Sequence, residues 1–247
     1  QFSFPMFRVQ HTNTHGSYQP ACSIEPIESD GKEQFERVEL DGVLSVYSHV
    51  GQLKIVRRFF PSVERPIFYE QVELFNGGGE TVSLKWETVK RCDGRFACEG
   101  YVYAECIASE PARPLAAGEK RTVLFGYGAR YANEQLSLEK DPLAARRRRV
   151  LELMTECDIT TGNDVVDTMF AFAKVRAGES LFRTGRGLVH CPGGLTYYAA
   201  IWCNDECEYA APWFAFTGDE KEAEAIRNIY GWYAPYFNDE YKPIPSS

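Results

Sequence analysis

The sequence has no apolar run near the ~18 residues needed to cross a bilayer, and its first residues, QFSFPMF, lack the charged and apolar blocks of a secretory signal. No membrane partner is expected. Positive charge is short as well: 27 Lys and Arg stand against 35 Asp and Glu, a net charge of −8, and the one dense basic run is Arg146 to Arg149. A nucleic-acid partner needs a basic stripe to neutralise phosphates, so none is expected, and the arginine run reads as a solvated helix face. Eight cysteines in 247 residues are too few for a disulfide scaffold. Cys92 and Cys98 flank DGRFA and admit either a loop-closing bond or two buried thiols. Cys203 and Cys207 are spaced i, i+4, with Cys191 and His190 upstream, a spacing unlike the paired motifs of structural zinc sites. No metal and no cofactor is expected, and the compartment stays open. An initiator Met is also missing, as in a processed or trimmed chain.

What is present is ordinary globular composition, 44% hydrophobic and 25% charged. From Phe35 to about Tyr131 the chain reads as strands: FERVEL, VLSVYSHV, LKIVRRFF, IFYEQVELF, TVSLKWETVK, GYVYAECIA and RTVLFGYGARY. These runs are rich in Val, Tyr, Phe, Ile and Thr, and turn signals at Asp41-Gly42, Asn76 to Gly79, Asp93-Gly94 and Ala117-Gly118 separate them. Seven strands at near-regular spacing predict an antiparallel β-sandwich, with IFYEQVELFN and the TVSLKWETV run as neighbours across a glycine-rich connection.

After Asn133 the period changes. LSLEKDPLAARRRRVLELMTECD has apolar residues at helical spacing, and Asp141-Pro142 fits an N-cap followed by Pro at the first helical position. The next segment, introduced by Thr161-Gly162-Asn163, carries Val165, Val166, Met169, Phe170, Phe172, Ala173 and Leu181 in a wide stripe and is expected to be a buried helix. A polar, glycine-rich loop from Arg183 to Gly194 follows. A helix is expected from near Asp205 to Thr217 with Gly218 as its C-cap, and another from Asp219 through AEAIRNIYGWYAPYF, whose aromatics read mostly as core.

The segment YYAAIWCNDECEYAAPWFAFTGD, Tyr197 to Asp219, concentrates the chemistry. A pyranose presents apolar C–H faces that rings cover and hydroxyls that Asp, Glu and Asn hydrogen-bond, so this mixture suits a saccharide site. Asp205, Glu206 and Glu208 follow Trp202 directly; acids this close are costly to bury together unless one serves in proton transfer or substrate contact. The competing reading is a helix start whose acids complement the macrodipole.

A β domain, a linker helix and helical hairpins opening with WCNDECEY and APWFAFTGD resemble the six-hairpin glycosidases, whose catalytic domain is an (α/α)6 barrel. The match centres on a Trp-x-x-Asp core, here Trp202 and Asp205, preceded by Gly193-Gly194-Leu195, Tyr197 and Tyr198. The resemblance implies a multi-domain β + α chain: residues 1–133 a β-sandwich, 134–160 a linker helix, and 161–247 a partial (α/α)6 catalytic domain. Six hairpins with their loops need at least roughly 200 residues, so the barrel is expected to close only with the remainder of a longer parent chain or by pairing with another polypeptide.

Glycoside hydrolysis is the implied activity. An acid protonates the leaving oxygen while a second carboxylate activates water on the opposite face, and the resemblance implies the inverting geometry of most barrel relatives. Asp205 or Glu206 is the candidate acid, although in some relatives the matching Asp only grips sugar hydroxyls. Tyr197 and Trp202 are the expected aromatic platform, with Asn204, Glu208, His190 and Arg186 as substrate contacts; Asn204 stands where many relatives carry Arg. Two alternatives stand beside hydrolysis: an inverting glycoside phosphorylase, and a non-catalytic carbohydrate-binding or assembly fragment.

Overall fold

A computed structural model describes residues 22–23, 33–86, 90–97, 100–191 and 201–240, with the backbone alone at 22–23, 85, 90–97, 100 and 102. The chain is mixed β and α in the expected order, antiparallel strands first and helices after. Its residues form two compact units that meet in sequence at Arg147 and Arg148.

Seven strands make one antiparallel sheet in the order β2 (Gln34–Leu40), β3 (Leu44–Val50), β4 (Leu53–Pro61), β5 (Ile67–Asn76), β9 (Lys120–Tyr131), β8 (Gly100–Ala108), β7 (Lys90–Ala97). Tight turns at Gly42 and Gly51, both at positive φ, join the first strands, a conformation that costs glycine nothing. The central strands β4 and β5 bury both faces. On one face Leu53, Ile55, Val72, Leu74, Val123 and Phe125 lie under Leu84, Trp86 and Leu115. On the other, Phe60, Ile67 and Tyr69 lie under Leu136, Leu138 and Leu143. Gly126 permits that second layer, because a Cβ there would stand 2.5 Å from Leu138. The charge buried within the sheet is satisfied: Arg57 donates to Glu70 at 2.7 Å and the Tyr127 hydroxyl donates to the same carboxylate at 2.7 Å.

The run TVSLKWETVK is not a neighbour of β5. Val82 bridges Leu115, and β6 (Lys85–Trp86) pairs instead with β1 (Cys22–Ser23). The alternation Val82, Leu84, Trp86 does bury one side, but it roofs the sheet rather than extending it. A period of two reports a buried face and is silent about the hydrogen-bonding partner. The seventh strand of the sheet is β7, in which Asp93-Gly94 makes a bulge between Cys92 and Arg95 rather than a turn. The Cys92 and Cys98 alternatives fall outside the described side chains.

The helix α1 (Pro142–Thr155) runs through the junction of the two units in sequence and begins as expected, with the Asp141 carboxylate accepting from the Ala144 amide at 3.2 Å. The arginine run is not a uniform solvated face: Arg147 and Arg148 are exposed, Arg146 is buried and donates to the Gly42 carbonyl, and Arg149 pairs with Asp219 at 2.5 Å. The C-terminus of α1 is closed by Lys174 of α2 (Asp164–Gly178), whose ammonium donates to the carbonyls of Met154, Glu156 and Cys157 at 2.7, 2.6 and 3.3 Å. A cation at a helix C-terminus meets both the orphan carbonyls and the macrodipole. Val150, Leu153 and Val175 pack between α1 and α2.

The expectation that α2 is a buried helix is corrected. Its stripe is present, but Val165 and Met169 are each 67% exposed and Val166 is exposed too; its buried residues are Lys174 and Val175. The apolar pattern marks a face able to be covered: Phe170 meets the Trp213 ring edge-on with centroids 5.5 Å apart, while Val165, Val166 and Met169 stay exposed.

Candidate active site

The loop expected from Arg183 is instead a hairpin, β10 (Leu181–Thr184) and β11 (Gly187–His190), with Leu181 opposite His190. Its two-residue turn, Gly185-Arg186, accounts for the local glycine content. Gly187 sits at φ 106°, where a Cβ would meet the Asn228 amide at 2.6 Å, and Asn228 in turn donates to the Leu188 carbonyl. The hairpin therefore lies flat against α4 (Glu220–Tyr233), with Val189, Ile229 and Tyr233 as the shared core.

The acidic segment enters a helix at Cys203, widens into a π-helical turn over Asp205–Ala210 and continues as α3 (Ala211–Thr217). Pro212 explains the widening: it has no amide hydrogen for the Glu208 carbonyl and its ring crowds that oxygen, and the Ala211 amide reaches back five residues to Glu206. Gly218, at φ 81°, ends α3 as expected, and Asp219 caps α4 by accepting from the Glu222 amide at 3.0 Å.

This turn separates the acids by environment. Glu206 points inward, 1% exposed, and His190 Nδ1 lies 2.8 Å from its Oε1. The imidazole is braced edge-on against Phe214 with ring centroids 5.4 Å apart. Burial raises the Glu206 pKa, the His190 contact opposes that rise, and nearby Asp205 adds to it. Asp205 is half-buried, whereas Asn204 and Glu208 are exposed. Trp202 is half-buried at the foot of the helix. Tyr197 lies outside the described residues. Arg186 is exposed at the hairpin turn with its guanidinium 5.6 Å from the Trp232 ring centroid, so its visible partner is an aromatic ring of α4.

Beside Glu206 the two thiols Cys203 and Cys207 approach to 3.9 Å, and the Cys207 thiol is pushed up to about 11, first by burial and then by Cys203. Tyr233 is buried and donates to the Ile201 carbonyl at 2.9 Å; burial, with Cys203 and Glu206 nearby, pushes its phenol up to about 12. The aromatic run at the end of α4 and just beyond it is less of a core than expected, since Tyr230, Tyr236 and Phe237 are exposed.

A second acid group was not legible as such in the sequence. Glu222 is buried, accepts from the Thr217 hydroxyl, and is pushed up to about 7 by burial. Asp219 and Glu156 reinforce that rise while Arg149 opposes it. The Asp219-x-x-Glu222 spacing is a capping-box signal that locates the helix start, but spacing carries no sign of burial. Among the described residues no three His, Cys, Asp or Glu side chains gather as a metal-holding group.

No family model matches this chain. No curated protein matches it in sequence. In fold it is similar to a structure described as "Putative kojibiose phosphorylase from human microbiome", with a TM-score of 0.55 at 9% identity, covering 81% of this chain and 36% of that one. The chain thus spans about a third of that protein's length, and a likeness at this identity is one of fold.

Proposed function

We propose that this chain is part of a carbohydrate-active enzyme that cleaves glycosidic bonds, with the acid chemistry at Asp205 and Glu206. The observation that carries the reading is the contrast between these two neighbours: one carboxyl half-exposed, the other buried, braced by His190 and raised in pKa. An accessible carboxyl beside a buried one whose pKa is raised suits acid-assisted departure of a sugar oxygen. In this reading Asp205 meets the saccharide, Glu206 with His190 sets the field behind it, and Trp202, Asn204 and Glu208 supply ring and hydroxyl contacts. A second carboxylate or a phosphate on the opposite face of the sugar completes the reaction.

Hydrolysis is the principal form, with water as acceptor. Phosphorolysis is the second, supported by the fold likeness to a protein described as a kojibiose phosphorylase. The test is turnover of a panel of α- and β-linked disaccharides, kojibiose included, with and without inorganic phosphate. Free sugar release independent of phosphate supports hydrolysis, and a sugar phosphate formed only with phosphate supports the second form. Saccharide binding without turnover in either condition would leave a binding module, and neither binding nor turnover would sink the carbohydrate reading.

A further inference from the structure

The helix that carries Asp205 and Glu206 also carries a feature that the saccharide reading does not use. Cys203 and Cys207 stand one turn apart on the same helix face, both half-buried, with their sulfurs 3.9 Å from each other. Both thiols are free. Cys203 packs against the Val189, Ile229 and Tyr233 cluster, so one wall of the pair is apolar and set by tertiary packing. Partial exposure leaves the other side open to an ion from solvent.

The spacing is informative. With metal–sulfur bonds of ~2.3 Å, two sulfurs 3.9 Å apart subtend about 115° at a shared ion, between the tetrahedral and trigonal angles. A linear two-coordinate ion with bonds of the same length would hold its sulfurs at ~4.6 Å. Soft thiolates favour d10 ions, and zinc and cadmium accept such an angle with solvent in the remaining positions.

We propose that Cys203 and Cys207 form a two-thiolate site for one divalent d10 cation of the zinc and cadmium kind, with water completing its coordination. Binding replaces two S–H bonds by two metal–sulfur bonds and releases two protons, with no change of oxidation state. Because only two protein ligands take part, the site is open and exchanges its ion readily, unlike a four-ligand structural centre. The inference stands apart from the carbohydrate reading and survives its failure.

Cadmium is the probe. Titrated into the reduced, metal-free chain, it is expected to produce a thiolate-to-metal charge-transfer band in the ultraviolet that saturates at one ion per chain. Cys203→Ser and Cys207→Ser are each expected to weaken binding at least tenfold, with Cys157→Ser and Cys191→Ser unchanged. A band that persists in both of the first two variants, or none with cadmium in large excess, overturns the assignment. Alkylation of the unmodified chain, read by mass spectrometry, covers the case in which a variant misfolds. Cadmium is expected to protect Cys203 and Cys207 selectively, and equal labelling of these two residues with and without cadmium also overturns it.

Discussion

Glu206 Oε1 and His190 Nδ1 are 2.8 Å apart, a contact between the end of a β-hairpin and a π-helical turn 16 positions along the chain. The carboxyl is buried, so the imidazole is what makes its position tolerable. Replacing His190 with Ala removes that partner and leaves the carboxyl in an apolar setting. The expected result is a further rise of the Glu206 pKa and a loss of about 1–3 kcal/mol in stability, measured by carbon-detected titration and by denaturant unfolding. An unchanged Glu206 titration would show that the contact carries no weight.

Asp205 and Glu206 are expected to separate in mutagenesis. Asp205→Asn alters a half-exposed side chain and is expected to cut glycosidic turnover at least 100-fold while leaving the melting temperature within about 1–2 °C. Glu206→Gln changes a buried, braced group and is expected to affect both turnover and melting. Retained turnover in Asp205→Asn removes this residue as the acid.

Lys174 is 1% exposed, and its ammonium serves the last carbonyls of α1. Lys174→Met keeps most of the aliphatic volume but strands those oxygens. A loss of about 2–4 kcal/mol is expected by chemical denaturation, with fraying confined to the end of α1 in hydrogen exchange. Wild-type stability in this variant would mean that water replaces the ammonium at no cost.

Glu222 makes stability depend on pH in an unusual direction for a carboxyl. Its folded pKa is about 7, against an ordinary value of 4.5, so between these limits the folded chain holds a proton that the unfolded chain has released. Stability therefore falls as pH rises from about 4.5 to about 7, by an amount on the order of 3 kcal/mol, and Glu206 contributes in the same direction. Asp219 acts oppositely: the Arg149 hydrogen bond holds its carboxyl low despite burial, and that contribution disappears in acid below the usual aspartate range. Glu222→Gln is expected to flatten the upper part of the profile, as followed by thermal melts between pH 4 and 8. A slope that survives the substitution would assign the effect elsewhere.

Local signals read well where the chain decides its own geometry. Asp141-Pro142 opens α1, Asn163 caps α2 by accepting from Val165 and Val166, Asp219 caps α4, and Gly218 adopts the left-handed turn that ends α3. Most strands were equally plain, because alternation and turn residues act over a few positions. The hairpin at Leu181 to His190 is not legible in the sequence, since a polar stretch rich in glycine looks like a loop until α4 is packed against it.

The linear chain settled which residues are helix or strand formers, where most elements begin and end, and that rings and acids crowd into one segment after Tyr197. Those outcomes rest on backbone sterics and capping within a few residues. Folding in three dimensions settled which of the neighbouring acids turns inward, that Trp86 roofs a sheet instead of joining it, and that a lysine closes a helix from another element. Burial, and every pKa that follows from it, depends on groups distant in sequence, and no local pattern encodes which of them will come to lie alongside.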